Sequence, residues 1–138
     1  MAYDSTIPAL GNLISNDIPA MQENFSLLES AQVVDEGSTS DGYYIRWENG
    51  WQICISPWFD VDITRSDGDG YMSDDNVTWD FPQSFNITTE VSCSGSANRS
   101  NLWADFYQIS NTQATGRGFG FVISDSRKIK SMAIGRWK

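Results

Sequence analysis

Histidine is absent from this chain. With it go the usual general base, the Ser–His pair and the commonest zinc ligand. Cysteine is nearly absent: Cys54 and Cys93 stand alone, each inside an alternating, strand-like run. The start, Met-Ala-Tyr-Asp-Ser-Thr, has neither a basic region nor an apolar core, so no secretory signal is expected. Both thiols are therefore expected reduced, buried and inert rather than joined. No window of 18 apolar residues occurs, so no membrane-spanning helix and no membrane insertion is expected. Bases are scarce, nine against eighteen acids, and the net charge of −9 argues against nucleic acid and anionic membranes as partners. The few bases are also unevenly placed. Residues 1–90 hold 16 acids and 2 bases, residues 91–138 hold 2 acids and 7 bases, a split that would let one part of the fold, or one copy, attract another.

What the chain does have is aromatic and β-forming. Its 138 residues, 40% hydrophobic with six tryptophans, can hold one compact domain plus an appendage. The strongest local pattern is Gly42–Ser56, where two alternating runs flank Asn49-Gly50. Tyr43, Ile45 and Trp47 alternate before the dipeptide, and Trp51, Ile53 and Ile55 after it. Asn-Gly accepts the positive φ of a tight type I′ turn, so a β-hairpin is expected.

Before it, Ile14, Ile18, Met21, Phe25 and Leu28 are spaced 4, 3, 4, 3, the seam of a heptad repeat. Ile7-Pro8-Ala9-Leu10 recurs as Ile18-Pro19-Ala20-Met21, and proline suits a first helical turn. Two helical pieces, near 8–15 and 18–30, are expected. They would oligomerise or dock the chain, or else pack on its own core. Residues 35–41, Asp-Glu-Gly-Ser-Thr-Ser-Asp, are polar and read as a linker. The domain division is then residues 1–34 helical, 35–41 linker and 42–138 head. After the hairpin, strands are expected at 60–64, 77–81, 85–94, 102–110, 118–124 and 129–137. Loops are expected at 65–76, 95–101, 111–117 and 125–128. Seven or so short strands at this spacing point to a mainly β protein, an antiparallel β-sandwich head preceded by short N-terminal helices.

Three groups of residues bear on chemistry. Asp60, Asp62, Asp67, Asp69, Asp74 and Asp75 crowd one segment, and calcium favours such oxygens. The EF-hand template fails there, with Tyr71 at the third ligand position from Asp67 and Thr78 at the twelfth. A solvated loop without cofactor is the expectation. The same carboxylates lie in Gly/Ser-rich surroundings, where burial cannot easily raise a pKa as glycoside hydrolysis requires, so no enzyme activity is expected. Exposed rings are the third group. Trp58, Phe59, Tyr71, Trp79, Trp103 and Tyr107 are more than a small core holds with every ring inside. Rings beside Asp, Asn and Arg suit carbohydrate, with stacked C–H faces and paired hydroxyls. The loop residues Trp58, Asp67, Asp69, Tyr71, Asn98 and Arg99 are the candidate binding set, because loops carry recognition on a rigid sheet.

Three stretches resemble the C-terminal receptor-binding head domain of bacteriophage tail-fibre and tail-spike proteins: "GYYIRWENGWQICI" from Gly42, "TWDFPQSF" from Thr78 and the ending "AIGRWK". The matched residues are scaffold: a turn, the approach to a strand and a closing strand. The resemblance implies attachment to the bacterial surface, through saccharide, by a homotrimer. It implies a virion tail location, assembly in the bacterial cytoplasm and other tail proteins as partners. About forty residues precede the head, fewer than a long shaft needs, which favours a short spike, a fibre tip or a tailocin part. The alternatives are a structural tail component without receptor contact and a free-standing lectin-like module.

Overall fold

The computed structural model describes residues 19, 22–26, 32–87 and 90–138. Among them, after a helical stretch at 22–26, ten strands follow in order. They are β1 (Val33–Thr39), β2 (Gly42–Trp47), β3 (Trp51–Ile55), β4 (Phe59–Asp67), β5 (Gly70–Ser73), β6 (Val77–Asp80), β7 (Ser92–Ala97), β8 (Leu102–Gln108), β9 (Gln113–Gly120) and β10 (Ser124–Arg136). All pairings are antiparallel. The main path runs β1-β2-β3-β10-β4-β5-β9-β6, with β7 on the other edge of β10 and β8 on the other edge of β9. The fold is mainly antiparallel β, as expected, with the large sheet curled so that its inner faces enclose the core.

The hairpin forms where its pattern requires, with Ile45 opposite Ile53 and Tyr43 opposite Ile55. Its turn is a correction. Only Gly50 (φ 90°) is left-handed there, and the Gly50 N–H donates to the Trp47 carbonyl at 2.9 Å. The loop is thus the three-residue kind that ends on a left-handed glycine. Asn49 serves as an acceptor instead, its Oδ1 taking the Trp51 N–H at 3.2 Å.

The linker expected over 35–41 is mostly strand. β1 pairs with β2 from Val33–Trp47 to Thr39–Gly42, with one bulge near Asp35. Backbone pairing does not need apolar side chains, and the polar ones are placed usefully. Tyr44 Oη donates to Asp35 (3.2 Å), Arg46 lies 3.8 Å from the same carboxylate, and Trp79 Nε1 donates to the Asp41 carbonyl at 2.8 Å. The following turn is therefore tied to the core.

Further boundaries differ. The loop expected at 65–76 is a hairpin: β4 continues to Asp67 and β5 returns from Gly70. The turn expected at 111–117 holds the start of β9, the strand that binds β5, β6 and β8. The break expected at 125–128 lies inside β10, which survives it through a bulge at Ser126 (φ 53°). Conversely, the strand expected over 85–94 begins only at Ser92.

The core has two parts. Tyr44, Cys54, Trp79, Phe81, Phe85, Val91, Ala114 and Ala133 form the first. Its rings make an edge-on series, Trp79 to Phe81 at 5.0 Å and Phe81 to Phe85 at 4.9 Å, a favourable quadrupole arrangement. Val61, Ile63, Leu102, Phe106 and Ile129 form the second. Buried Gln52 accepts from Arg46 Nε (2.6 Å) and donates to the Gln83 carbonyl (2.8 Å). Among the described residues no buried side-chain polar atom lacks a partner, as a stable interior requires.

Candidate binding surface

β8 and β9 pair with Trp103 opposite Phe119, Asp105 opposite Arg117 and Tyr107 opposite Thr115. Directly opposed residues share a face, and the core takes the alternate set, Leu102 and Phe106. The outward face therefore carries aromatic and charged groups together. The Trp103 and Phe119 rings stack at 5.8 Å and 11°, and Phe121 leans on Trp103 at 5.3 Å. The ledge continues into the β9–β10 turn, where Phe121, Val122 and Ile123 are 69%, 59% and 55% exposed. Three consecutive apolar side chains in water at a strand turn contribute nothing to a core.

Beside this ledge lies a groove of about 230 Å³ lined by Asn76, Asp105, Tyr107, Gly116, Arg117 and Phe119. Arg117 is held in place, Nε donating to Asn76 Oδ1 and an amino group lying 2.9 Å from Met72 Sδ. Asp105 stands across from it and, among the described residues, enters no ion pair. A carboxylate, a positioned guanidinium, a phenol and a ring face within one groove can bind a polyhydroxylated ligand, with hydroxyls bonded and a C–H face stacked.

The six loop residues expected to bind do not converge. Trp58 is exposed between β3 and β4, its ring under the Lys130 ammonium at 4.7 Å. Asn98 is committed to the backbone of Lys128, donating its N–H (3.0 Å) and accepting through Oδ1 (3.2 Å). Arg99 is exposed in the β7–β8 turn, and its carbonyl takes the Leu102 N–H. Asp67 and Asp69 are exposed at the β4–β5 turn, the full length of β4 away from Trp58, roughly 25 Å at strand rise. Tyr71 is half-buried against the second core cluster.

Trp103 and Tyr107 were legible as surplus rings. Phe119 and Phe121 were hidden because an alternating run reads equally as core strand. Of the heptad seam only Phe25 is described, exposed within 22–26; Ile14, Ile18, Met21 and Leu28 lie outside the described residues.

The acidic segment forms a separate basin of about 460 Å³, lined by Asp60, Asp62, Asp74 and Asp75 among others. Several of its acids are engaged: Asp62 accepts from the Ser126 N–H (2.8 Å), Asp74 from Thr64 (2.7 Å), and Asp60 faces Lys128 at 3.4 Å. Among the described residues no three His, Cys, Asp or Glu side chains are grouped as a metal ion would need. Both thiols are free. Burial pushes the Cys54 thiol up to about 11, against opposing hydrogen bonds from Gln52 and Gln83, and burial alone pushes Cys93 up to about 11.

No known protein family and no curated protein matches this sequence. Two solved structures do match its fold. A C-terminal fragment of the P. aeruginosa R1 pyocin fibre matches over 96% of this chain, with a TM-score of 0.52 at 17% identity. An N-truncated R1-type pyocin tail fibre also matches over 96%, with a TM-score of 0.55 at 14% identity. This chain spans 35% of the first and 99% of the second. The fold is thus one that pyocin tail fibres use.

Proposed function

We propose that this chain is a receptor-binding tail-fibre protein of a phage or phage-tail-like particle. It attaches the particle to the bacterial surface through saccharide and acts by binding rather than catalysis. One observation carries this reading: the Trp103–Phe119–Phe121 ledge beside the Asp105–Arg117 groove, on a fold that matches pyocin tail fibres over nearly the whole chain. Stacked aromatic faces supply van der Waals contact with sugar rings, and the flanking charges bond hydroxyls that would otherwise lose their water. The binding set moves accordingly from the β4–β5 and β7–β8 turns to the β8–β9 face. The protein works as a homotrimer joined to other tail proteins, assembled in the bacterial cytoplasm and carried on the tail. Three copies multiply a weak single contact.

The test is adsorption of the full chain to a panel of bacterial strains, with purified surface polysaccharide as competitor. Saturable adsorption that the polysaccharide abolishes, and that Trp103→Ala weakens at least tenfold without unfolding, is the expected result. Adsorption to no strain, or a Trp103→Ala chain that adsorbs normally, would overturn it.

A further inference from the structure

The groove beside the ledge holds a cation that no described acid neutralises. Elsewhere Lys128 faces Asp60, Lys138 faces Glu48 and Arg46 faces Asp35, while Lys130 and Arg136 lie over the Trp58 and Trp51 rings. Arg117 is the only base lining the groove, and no described carboxylate oxygen lies within 4.0 Å of its nitrogens. Its side-chain contacts are neutral. Nε donates to Asn76 Oδ1, and one amino group lies 2.9 Å from Met72 Sδ. The second amino group enters neither contact.

The sheet explains why this side chain is held and yet open. β5 pairs with β9 through Met72–Phe119, and β6 takes over at Val77–Gly116. Residues 73–76 cross the gap between them, tied to β9 where the Gly118 N–H donates to Ser73 Oγ at 3.3 Å. Asp74 and Asp75 of this segment line the separate acidic basin, whereas Asn76 lines basin and groove alike. In the run Asp-Asp-Asn, the residue that touches the guanidinium is thus the amide. An acid there would neutralise Arg117 from within. An amide positions it and leaves its charge to a ligand.

The rest of the groove limits what can use that charge. Asp105, opposite Arg117 in register, is exposed and repels a second negative group. The net charge of −9 likewise disfavours a dense polyanion. The space, about 230 Å³, is below the ~300–1,000 Å³ that holds a drug-sized ligand and suits a single sugar ring. One planar carboxylate matches the open edge of the guanidinium, where two parallel N–H···O bonds can form. Hydroxyls of the same ring can donate to Asp105, and its C–H face can lie on Phe119 beside Trp103. Resting on the adsorption role proposed above, we infer that the groove selects a sugar with a single carboxylate, of the uronic-acid class, within a sparsely charged surface polysaccharide. Arg117 is the residue that determines this specificity, and Asn76 positions it.

The test uses the full chain and the surface polysaccharide purified from a strain to which it adsorbs. The polymer is immobilised native, with its carboxylates reduced to primary alcohols, or dephosphorylated. Carboxyl reduction should weaken binding about tenfold or more, the scale of a lost charged hydrogen-bond pair, and dephosphorylation should leave it unchanged. Equal binding to native and reduced polymer would overturn the inference. So would a polymer that contains no carboxylate, or a loss confined to dephosphorylation, which assigns the guanidinium to phosphate.

Two variants test the residues. Arg117→Gln removes the charge, and Asn76→Asp supplies an internal carboxylate while Arg117 stays in place. Both should bind native polymer only as weakly as the wild type binds reduced polymer, and Asn76→Asp should not lower the melting temperature. A folded Asn76→Asp chain that keeps the preference for native polymer would overturn the inference, even if Arg117→Gln failed to fold. Wild type that binds both forms equally, but loses both in Trp103→Ala, keeps the adsorption role and loses only the carboxylate. Wild type that adsorbs to no strain loses both.

Discussion

At the hairpin end of the sheet, the turn and the C-terminus hold each other. The Trp137 N–H donates to the Gly50 carbonyl (2.9 Å) and its indole N–H to the Trp47 carbonyl (3.1 Å). Arg46 lies over the Trp137 ring at 4.9 Å, and Lys138 pairs with Glu48 at 3.0 Å. At the other end, the Phe121–Ile123 turn stands in water, with the Asp67–Gly70 turn joined nearby through Tyr71 opposite Gly120. Both ends are rich in aromatics, but only one uses them to seal structure. The difference teaches that ring count does not locate a site. What locates it is rings left exposed where packing partners were available.

Substitutions can sharpen or break this comparison. The largest effect is expected at Trp79, fully buried behind the hairpin with its indole bonded to Asp41. Trp79→Ala should cost about 3–5 kcal/mol in urea unfolding, as deletion of a large core ring does. A loss below 1 kcal/mol would show the sealed end is not the stable one. Next, Gly116→Ala places a Cβ 2.5 Å from the Asp105 carbonyl oxygen and the Phe106 ring, both on β8. Overpacking there should cost about 1–3 kcal/mol and distort the groove, weakening adsorption as well.

Tyr71 and Trp58 divide the loop set that the sequence singles out. Tyr71→Ala should lower the melting temperature, because its ring packs on the second core cluster. Trp58→Ala should change stability by no more than about 1 kcal/mol, the scale of an exposed cation–π contact. Equal effects would mean the core boundary is misplaced. At the open end, Phe121→Ser should leave stability within about 0.5 kcal/mol, as at most exposed positions, yet reduce adsorption several-fold.

The smallest effect concerns the thiols. With the folded pKa raised from 9.0 to about 11, Cys54 and Cys93 stay protonated near neutrality. Their contribution to stability is complete below pH 9 and is lost as pH rises through 11. Alkylation of the native protein at pH 8 should be slow and complete only on unfolding. Rapid labelling of the folded chain would show that this interior is open to reagent.

Local rules were legible in the residues. The hairpin followed from period-two alternation about Asn49-Gly50, the Val77 and Leu102 strands from their β-branched and aromatic content, and the mainly β architecture from their spacing. These depend on contacts a few residues apart, which a sequence displays directly. The amino-acid order by itself also determined that no histidine chemistry operates and where the charges divide. Only the tertiary structure decided the rest. It recruited polar 35–39 as an edge strand, because β2 offered free backbone groups that another backbone satisfies whatever side chains it carries. It turned the glycine-containing 113–120 into the strand joining β5, β6 and β8, because Gly116 lets the β8 backbone and the Phe106 ring come close. It also sent Trp79 inward and Trp103 outward, although both sit in alternating runs of similar composition. Alternation tells which residues share a face, but which face meets the core depends on strands brought together from distant parts of the chain.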